Sequence, residues 1–265
     1  MCDVSIKAAF FDIDGTLIDP GDHKIPSSAI EAIKKIQEKG IKVFVASGRQ
    51  ASDLDIVEGL DAIVWDGYVC CNGAAVYDHN RNLINAKYFK KEQVEGLVQK
   101  CEKEGLTVYL RCGDYGFAPL GIDHYMIEAH TFFDEPLPPY VHPYNGEENI
   151  MMALIYAPMD YNYASVSDVE GLQAFPNRST YADVCLAEVS KKVGLEMIAE
   201  KFGFKREELL AFGDQSNDMS MIEYAGTGIA MGNGSQALKD MADYITLDVD
   251  KNGIYYACEQ LGLLD

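Results

Sequence analysis

The sequence has no apolar run long enough to cross a membrane, and its first residues carry no basic segment followed by a small-residue cleavage site. A membrane-spanning helix needs about 20 mainly apolar residues, and a secretory signal has both of those features. Neither a membrane protein nor a secreted one is therefore predicted. The seven cysteines are an odd number and lack the spacing of a metal knuckle. Free thiols in a reducing compartment fit them better than a disulfide framework, so the predicted location is cytoplasmic.

Positive charge is also scarce, because 22 lysines and arginines face 42 acidic residues and give a net charge of −20. This balance argues against a nucleic-acid backbone or an anionic membrane as partner. A hydrophobic fraction of 48% over 265 residues is nevertheless enough to bury a sizeable core. The length allows one large domain or two modest ones.

The first informative stretch is an apolar run, Ala8 to Phe11, that ends in Asp12-Ile13-Asp14-Gly15-Thr16. Such a run predicts a buried strand of a parallel sheet. Ligands of open α/β sheets bind outside the carboxyl ends of the strands. Gly15 permits a sharp turn directly after the acids. The alternative is an acidic surface turn, but the buried strand and the Gly-Thr that follows favour a site.

A second strand, Ile41 to Ala46, ends in Ser47-Gly48-Arg49 and follows a predicted helix that Ser28 and Glu31 would open as a capping box. Strand, helix and strand in this order predict a right-handed crossover and a parallel sheet. Ser47 should then lie at the same edge as Asp12. Its hydroxyl suits a phosphoryl oxygen, a helix N-cap, or both.

A third strand, Leu209 to Phe212, is followed by Gly213-Asp214-Gln215-Ser216-Asn217-Asp218. Asp214 and Asp218 would therefore join the acids of the first strand. Clustered carboxylate oxygens without a histidine or cysteine cluster suit Mg²⁺ rather than zinc or iron.

The middle of the chain follows a different pattern, with a predicted hairpin at Asn72-Gly73 before it. A helix over Lys91 to Glu104, two later strands and a proline-rich loop predict a separate α+β domain. The predicted fold class is α/β, a doubly wound, mostly parallel, Rossmann-like core with a second, smaller α+β domain. The core is assigned residues 1–85 and 186–265, and the second domain is assigned residues 86–185.

Four motifs in order resemble those of the haloacid dehalogenase-like phosphohydrolases: D-x-D-G-T at Asp12, S-G-R at Ser47, a lysine at Lys191, and G-D-x-x-N-D at Gly213. The large insertion between the second and third motifs resembles the cap of the Cof-type branch. The family lysine commonly precedes a small residue. Here Lys192 holds that position, so both lysines are candidates and Lys191 is preferred.

The resemblance implies that Asp12 is the nucleophile and Asp14 the general acid and base. It implies a Mg²⁺ ion on Asp12, Asp214 and the backbone carbonyl of Asp14, with Asp218 helping to hold the metal or its waters. The residues implied to bind the phosphoryl group of the substrate are Thr16, Ser47, Gly48, Lys191 and Asn217. In a chain this acidic, a metal ion and one lysine would concentrate the positive charge that an anionic ester needs.

The expected function is that of a Mg²⁺-dependent phosphatase that hydrolyses small phosphorylated metabolites, such as sugar phosphates, through an aspartyl-phosphate. A sugar phosphomutase and a phospho-ligand-binding regulatory protein are the alternatives. The partner is a small phosphate ester, not a nucleic acid or a membrane. The cap is expected to act as a mobile lid that selects the ester, and the candidate residues for this choice are Tyr109, Arg111, Tyr115, His124 and Tyr125.

Overall fold

A computed structural model describes residues 5–19, 24–132, 135–176 and 180–264. Within these residues the chain forms two compact units. The core unit comprises the described parts of Met1–Arg49, Asp53–Asn85 and Ser190–Asp265, and the cap unit comprises Gln50–Ser52 and Ala86–Val189. The start of the chain, from which no secretory signal is predicted, lies outside the described residues up to position 4. No helix among the described residues has both the length and the apolar character needed to cross a membrane.

The core unit contains an eight-stranded, mostly parallel sheet. Its strands are β1 (Ala8–Phe11), β2 (Lys42–Ala46), β3 (Gly67–Cys70), β4 (Ala75–Asp78), β5 (Leu83–Ala86), β11 (Leu209–Gly213), β12 (Thr227–Ala230) and β13 (Tyr244–Ile245). They lie in the order β13-β12-β11-β1-β2-β3-β4-β5. The pairs from β13 to β3 are parallel, and β3 with β4 is antiparallel.

Helices complete the core unit. They are α1 (Ser27–Glu38), α4 (Lys191–Phe202), α5 (Met219–Tyr224), α6 (Gln236–Met241) and α7 (Gly253–Gln260). Side chains alternate across β1, so Phe10 packs into an apolar cluster with α4 and α5, whereas Phe11 points to the other face beside Trp65. Helix α1 packs against α7. The predicted doubly wound fold class is confirmed.

The predicted capping box at the start of α1 is wrong. The helix begins at Ser27 after Pro26, so Ser28 already lies inside the first turn. Its hydroxyl donates a hydrogen bond to Asn252 Oδ1 at 2.7 Å, and Glu31 pairs with Lys35 one turn later. The Ser28 hydroxyl therefore bonds Asn252, just before α7, and not the helix terminus that the local sequence pattern indicates.

The cap unit is built on a five-stranded antiparallel sheet. Its strands are β6 (Thr107–Arg111), β7 (Gly116–Phe117), β8 (Met152–Tyr156), β9 (Leu172–Pro176) and β10 (Tyr181–Leu186), in the order β7-β6-β8-β10-β9. Its helices are α2 (Lys91–Glu104) and α3 (His124–Phe132). Helix α2 buries Val94, Leu97 and Cys101, as its 3.6-residue spacing requires. The two units therefore differ in sheet type, parallel in the core and antiparallel in the cap.

Candidate active site

The central strand β1 places its acids beside those that follow β11. Phe11 pairs with Phe212 in the parallel register, and their rings stack with centroids 4.9 Å apart. The N–H of Asp12 continues the ladder by donating to the carbonyl oxygen of Phe212 at 3.1 Å. Asp12 and Asp214, which directly follow these neighbouring strands, therefore emerge together at the carboxyl edge of the sheet.

The turn after Asp14 needs a glycine. Gly15 has a φ of +87°, and a Cβ added there would lie 2.3 Å from Asp214 Oδ2. Thr16 Oγ1 lies 3.5 Å from Asp214 Oδ1, at the outer limit of a hydrogen bond. Asn233 Nδ2 donates to the carbonyl of Gly15 at 2.7 Å. The close approach of this turn to Asp214 brings the first and fourth motifs into one site.

Lys191 is enclosed by acids at the first position of α4. Its ammonium group donates to Asp12 Oδ1 at 2.6 Å and to Asp218 Oδ1 at 2.5 Å, and its side chain has no exposed area. The second oxygen of Asp218 accepts the backbone N–H groups of Asp214 and Gln215 at 2.8 and 2.9 Å. Asp218 therefore fixes both the lysine and the turn that carries Asp214.

Lys192, the alternative candidate, points elsewhere. Its ammonium group lies 3.5 Å from Glu196 and 5.5 Å from the ring centre of Tyr224, and its side chain is 44% exposed. Because neighbouring residues at the start of a helix diverge by about 100°, only one of the two lysines can reach the acids. The structure brings Lys191 to them.

Burial controls the charge state of this cluster. Removal from water, followed by the negative charge of Asp218, raises the pKa of Asp12 well above its usual value, and Lys191 opposes the shift. Burial works to lower the pKa of Lys191, but the charges of Asp12 and Asp218 and their hydrogen bonds outweigh it and raise that pKa. The lysine therefore stays cationic, while the carboxylate needs more positive charge to remain an anion.

The carboxylates have the chemistry of a divalent-cation site. Asp12, Asp214 and Asp218 are at most 5% exposed, and each can place one oxygen within 4.8 Å of the others. Three buried acids cluster here and the ammonium group of Lys191 bonds two of them, so a hard dication would balance the remaining negative charge. This donor set fits the metal ion that the sequence predicts.

Asp14 turns away from this cluster towards Arg49. Arg49 donates through Nε to Asp14 Oδ2 at 2.9 Å and through Nη2 to Oδ1 at 2.7 Å. The arginine is 8% exposed, whereas the side chain of Asp14 is 41% exposed. A bidentate pair of this kind fixes the plane of the carboxylate, so Arg49 orients the residue that is expected to move the proton.

The remaining predicted residues surround the carboxyl edge. Ser47 is fully buried at the end of β2, and its Oγ accepts the backbone N–H of Arg49 at 3.1 Å. Gly48 is half-buried between them. Asn217 is half-buried and donates through Nδ2 to Asn72 Oδ1 at 3.0 Å, rather than to the acids.

Sequence reasoning missed four residues that support the site. They are Arg49, Asn72, Gln215 and Asn233, each bonded to a predicted site residue or to its turn. Arg49 lies in the S-G-R motif, but the motif alone gives it no role. The pattern around Asn72 indicates only a turn. Gln215 donates to Asp214 Oδ2 at 3.1 Å, and its position inside the fourth motif was the available signal.

The five cap candidates lie at three places in the cap unit. Tyr109 and Arg111 are buried on one face of β6, with the guanidinium 5.2 Å from the ring centre of Tyr109. Tyr115 is 41% exposed and meets Tyr140 edge to face. His124 and Tyr125 begin α3, with rings 3.8 Å apart.

A buried pair that the sequence did not reveal lies close to Tyr109. His130 Nε2 and the Tyr156 hydroxyl are 2.9 Å apart. Burial lowers the pKa of His130 and raises that of Tyr156. The cap thus contains its own polar network on one sheet face.

A doubly wound α/β core with buried aspartates and one buried lysine at its carboxyl edge defines an enzyme class that acts on anionic substrates. The model of the haloacid dehalogenase-like hydrolase family matches residues 9–258, and the chain belongs to this family. The predicted resemblance, including its Cof-type branch, is confirmed.

Individual relatives agree with this assignment. The putative phosphatase YkrA of Bacillus subtilis (strain 168) is 31% identical over 97% of this chain and 98% of its own length. A solved phosphatase of the same superfamily from Bacteroides thetaiotaomicron is 29% identical, with a TM-score of 0.89 and coverage of 99% and 97%. A solved sugar phosphatase of subclass IIB is also 29% identical, with a TM-score of 0.87 and coverage of 97% and 99%. The predicted enzyme class, a phosphoric monoester hydrolase, is confirmed at this level.

Proposed function

We propose that this hydrolase is a Mg²⁺-dependent phosphatase of small phosphorylated metabolites, such as sugar phosphates, and that it works through an aspartyl-phosphate on Asp12. The observation that carries the proposal is the position of Asp12, buried and hydrogen-bonded to Lys191 beside Asp214 and Asp218, two residues before Asp14. The similarity to a solved sugar phosphatase supports the substrate class.

In the first half-reaction, an oxygen of Asp12 attacks phosphorus and forms a new P–O bond while the ester P–O bond breaks. The leaving alkoxide takes a proton from Asp14, which is exposed enough to meet it. Lys191 stays cationic throughout, and its charge stabilises the negative charge that spreads over the phosphoryl oxygens. The products are the free alcohol and the acyl phosphate of Asp12.

In the second half-reaction, Asp14 takes a proton from a water molecule that attacks the same phosphorus. The bond between phosphorus and Asp12 breaks, inorganic phosphate leaves, and Asp12 returns as a carboxylate. Arg49 holds the carboxylate of Asp14 in one plane, which suits the proton-accepting role in this step. Thr16, Ser47, Gly48 and Asn217 are proposed to hydrogen-bond the phosphoryl oxygens.

Asp12, Asp214 and the backbone carbonyl of Asp14 would hold the Mg²⁺ ion, with Asp218 supporting this set through its bonds to the turn. A bound dication would supply positive charge against the phosphate and would lower the pKa of Asp12. This agrees with the chemistry of the donor set, in which burial and neighbouring acids otherwise favour protonation of the nucleophile.

We also propose that the cap unit, rather than the core, selects the ester and acts as the lid. All residues assigned to the phosphoryl group belong to the core unit, so they suit any phosphomonoester. The buried side chains Arg111 and Tyr109 offer the cap a charged and an aromatic contact. The six cysteines within the described residues are free thiols, which supports a cytoplasmic location.

The test is phosphate release from a panel of phosphorylated metabolites, with purified protein in Mg²⁺ and after removal of the metal by a chelator. We expect turnover of at least one ester, loss of turnover in the chelator and recovery when Mg²⁺ is added back. Undiminished turnover without metal would contradict the metal requirement. A phosphomutase would return the phosphate in an isomeric sugar phosphate, and a binding protein would retain the ester unchanged. Either result would replace the proposal.

A further inference from the structure

The turn between β3 and β4 has an unusual backbone. Three of its four residues, Cys71, Asn72 and Gly73, have positive φ values, of 51°, 53° and 100°. Left-handed backbone suits glycine and, to a lesser degree, asparagine, but it is costly for a residue such as cysteine. The pairing of Cys70 with Ala75 leaves four residues in the loop, where the Asn-Gly signal needs only two. Formation of the hairpin alone does not account for this conformation.

The contacts of the turn account for it. The N–H of Cys71 donates to the carbonyl of Arg49 at 2.9 Å, and the N–H of Asn72 donates to the carbonyl of Ser47 at 3.0 Å. A Cβ on Gly73 would lie 2.1 Å from the carbonyl oxygen of Ser190. The turn therefore braces the segment of the second motif and packs against the chain immediately before the site lysine.

The side chain of Asn72 reaches the fourth motif. It is 1% exposed, and its Oδ1 accepts the Asn217 Nδ2 group at 3.0 Å. One N–H of the Asn217 amide is used in this bond, which fixes the plane of that amide and the direction of its second N–H. Asn217 is itself only half-buried, so part of the residue stays open to solvent.

We propose that Asn72 is a positioning residue, which holds the Asn217 amide in the orientation that binds the phosphoryl group. The inference rests on the proposed function of Asn217 as a phosphoryl ligand. Asn72 does not touch the substrate and acts only through Asn217. This role explains the left-handed backbone of the turn. The turn places the Asn72 side chain opposite the fourth motif, while its backbone N–H groups bond the segment of the second motif.

The test is a double-mutant cycle with Asn72→Gly, Asn217→Ala and the two combined. Glycine removes the side chain but tolerates the left-handed backbone, so strain does not confound the result. The matched control is Asn252→Gly. Asn252 is also left-handed, with a φ of 62°, and it also accepts one side-chain hydrogen bond, from Ser28. It lies in the same unit but outside the site.

The primary measurement is the dissociation constant of inorganic phosphate in Mg²⁺ by calorimetry, and the second is kcat and KM for the best ester. We expect Asn72→Gly and Asn217→Ala each to weaken phosphate binding about tenfold, which is about 1.4 kcal/mol. The double variant should be within about twofold of Asn217→Ala, and Asn252→Gly should be unchanged. In the ester assay, KM should rise by at least as large a factor as kcat falls. A general loss of folded protein would lower the apparent kcat and leave KM unchanged.

Two results of the binding measurements would overturn the inference, and one structural result would contradict it as well. One is multiplication of the effects to about a hundredfold in the double variant, since Asn72 would then act independently of Asn217. The other is phosphate binding by Asn72→Gly as tight as that of the control. If Asn72→Gly does not fold, Asn72→Ala takes its place in the cycle. A crystal structure in which Asn217 keeps its rotamer without the Asn72 amide would also contradict the proposal.

Phosphate binding needs no turnover, so the two proposals fail separately. If the wild-type protein hydrolyses no ester but the binding cycle behaves as expected, the proposed phosphatase function fails and the role of Asn72 stands. If esters are hydrolysed but the effects multiply, only the role of Asn72 fails.

Discussion

In the core unit the polar side chains gather at one edge of the sheet, whereas in the cap unit they lie along one face. All parallel strands of the core end at the same edge, so Asp12 after β1, Ser47 after β2 and Asp214 after β11 meet there. Antiparallel strands end at alternate edges, so the cap has no such meeting point. Its polar groups, such as Tyr109 and Arg111 on β6, instead alternate with apolar residues along the strands.

This difference explains why sequence patterns predicted the cluster of acids in the core unit but not the polar network of the cap unit. A strand that ends in acids is recognisable from a short stretch of sequence. Parallel topology then brings together the carboxyl ends of strands that are far apart in the chain. A side chain in the middle of an antiparallel strand gives no such signal. The pairing of Tyr156 with His130 needs the register of β8 and the position of α3, which no local pattern contains.

The difference between the core unit and the cap unit predicts two kinds of effect from substitutions. Substitutions at the core edge should depress the hydrolysis of all esters together. Substitutions on the cap face should change the preference among esters or the stability of the cap.

The largest effects are expected from the two acids of the first motif. Asp12→Asn should abolish turnover and any trapped aspartyl-phosphate, because the amide cannot form the covalent bond. Asp14→Asn should keep the nucleophile and lose about 10²–10⁴-fold in kcat, as expected for a missing general acid and base. Rapid-quench kinetics and intact-protein mass measure both quantities. Asp61→Asn, at an exposed position of the core unit, is the control. Near-native turnover by Asp12→Asn would rule out the covalent mechanism.

Arg49 should produce the next largest effect. Arg49→Met removes the bidentate hold on Asp14, so we expect a loss of about 10–10²-fold in kcat for alkyl phosphates. The loss in the first step should be much smaller for p-nitrophenyl phosphate, whose leaving group needs no proton. Arg81→Met, which removes an arginine–aspartate pair with Asp55 in the same unit, serves as the comparison. Equal losses for both kinds of ester would show that Arg49 does not act through Asp14.

A substitution in the cap unit should change the preference among esters and not the turnover of all of them. Arg111→Met is expected to change the ratio of kcat/KM between two esters by about tenfold, because one charged contact distinguishes substrates by roughly that amount. Turnover of the poorer ester should change little. The control is Lys100→Met on α2, where the lysine pairs with Glu104. A uniform decrease for every ester would place Arg111 with the core residues and contradict the division of roles.

The smallest expected effect is on stability and comes from His130. Burial lowers its pKa below the ordinary value of 6.5, so the unfolded chain binds more protons than the folded one at acidic pH. The free energy of unfolding should therefore rise with pH below about 6.5 and level off above it. His130→Gln should flatten this slope in denaturant titrations at several pH values, whereas His79→Gln, at an exposed position, should leave it unchanged. An equal slope in both variants would show that other groups cause it.

The sequence was sufficient for the fold class and for the family, since both depend on strand ends or on the order of motifs. It was insufficient where one side chain had a choice of partners. Ser28 has a helix-capping pattern, but its hydroxyl bonds Asn252 instead. Arg49 lies in the S-G-R motif, but its bond to Asp14 joins residues far apart in the chain. Asn72 matches a local turn signal, but its contact with Asn217 joins residues 145 positions apart, which no local pattern contains.

The position of β1 between β2 and β11 also affects the synthesis of the chain. The first motif leaves the ribosome long before its later partners, because Thr16 and Asp214 are separated by 198 positions. At about 5–20 residues per second, this interval lasts roughly 10–40 s. The nascent β1 strand therefore has an open edge during that time, while nearly all of the cap unit, from Ala86 to Val189, is contiguous and emerges before β11. Asp12 thus remains without Lys191 and without strand β11 until the last third of the chain is made, so the candidate active site is among the last parts of the protein to form.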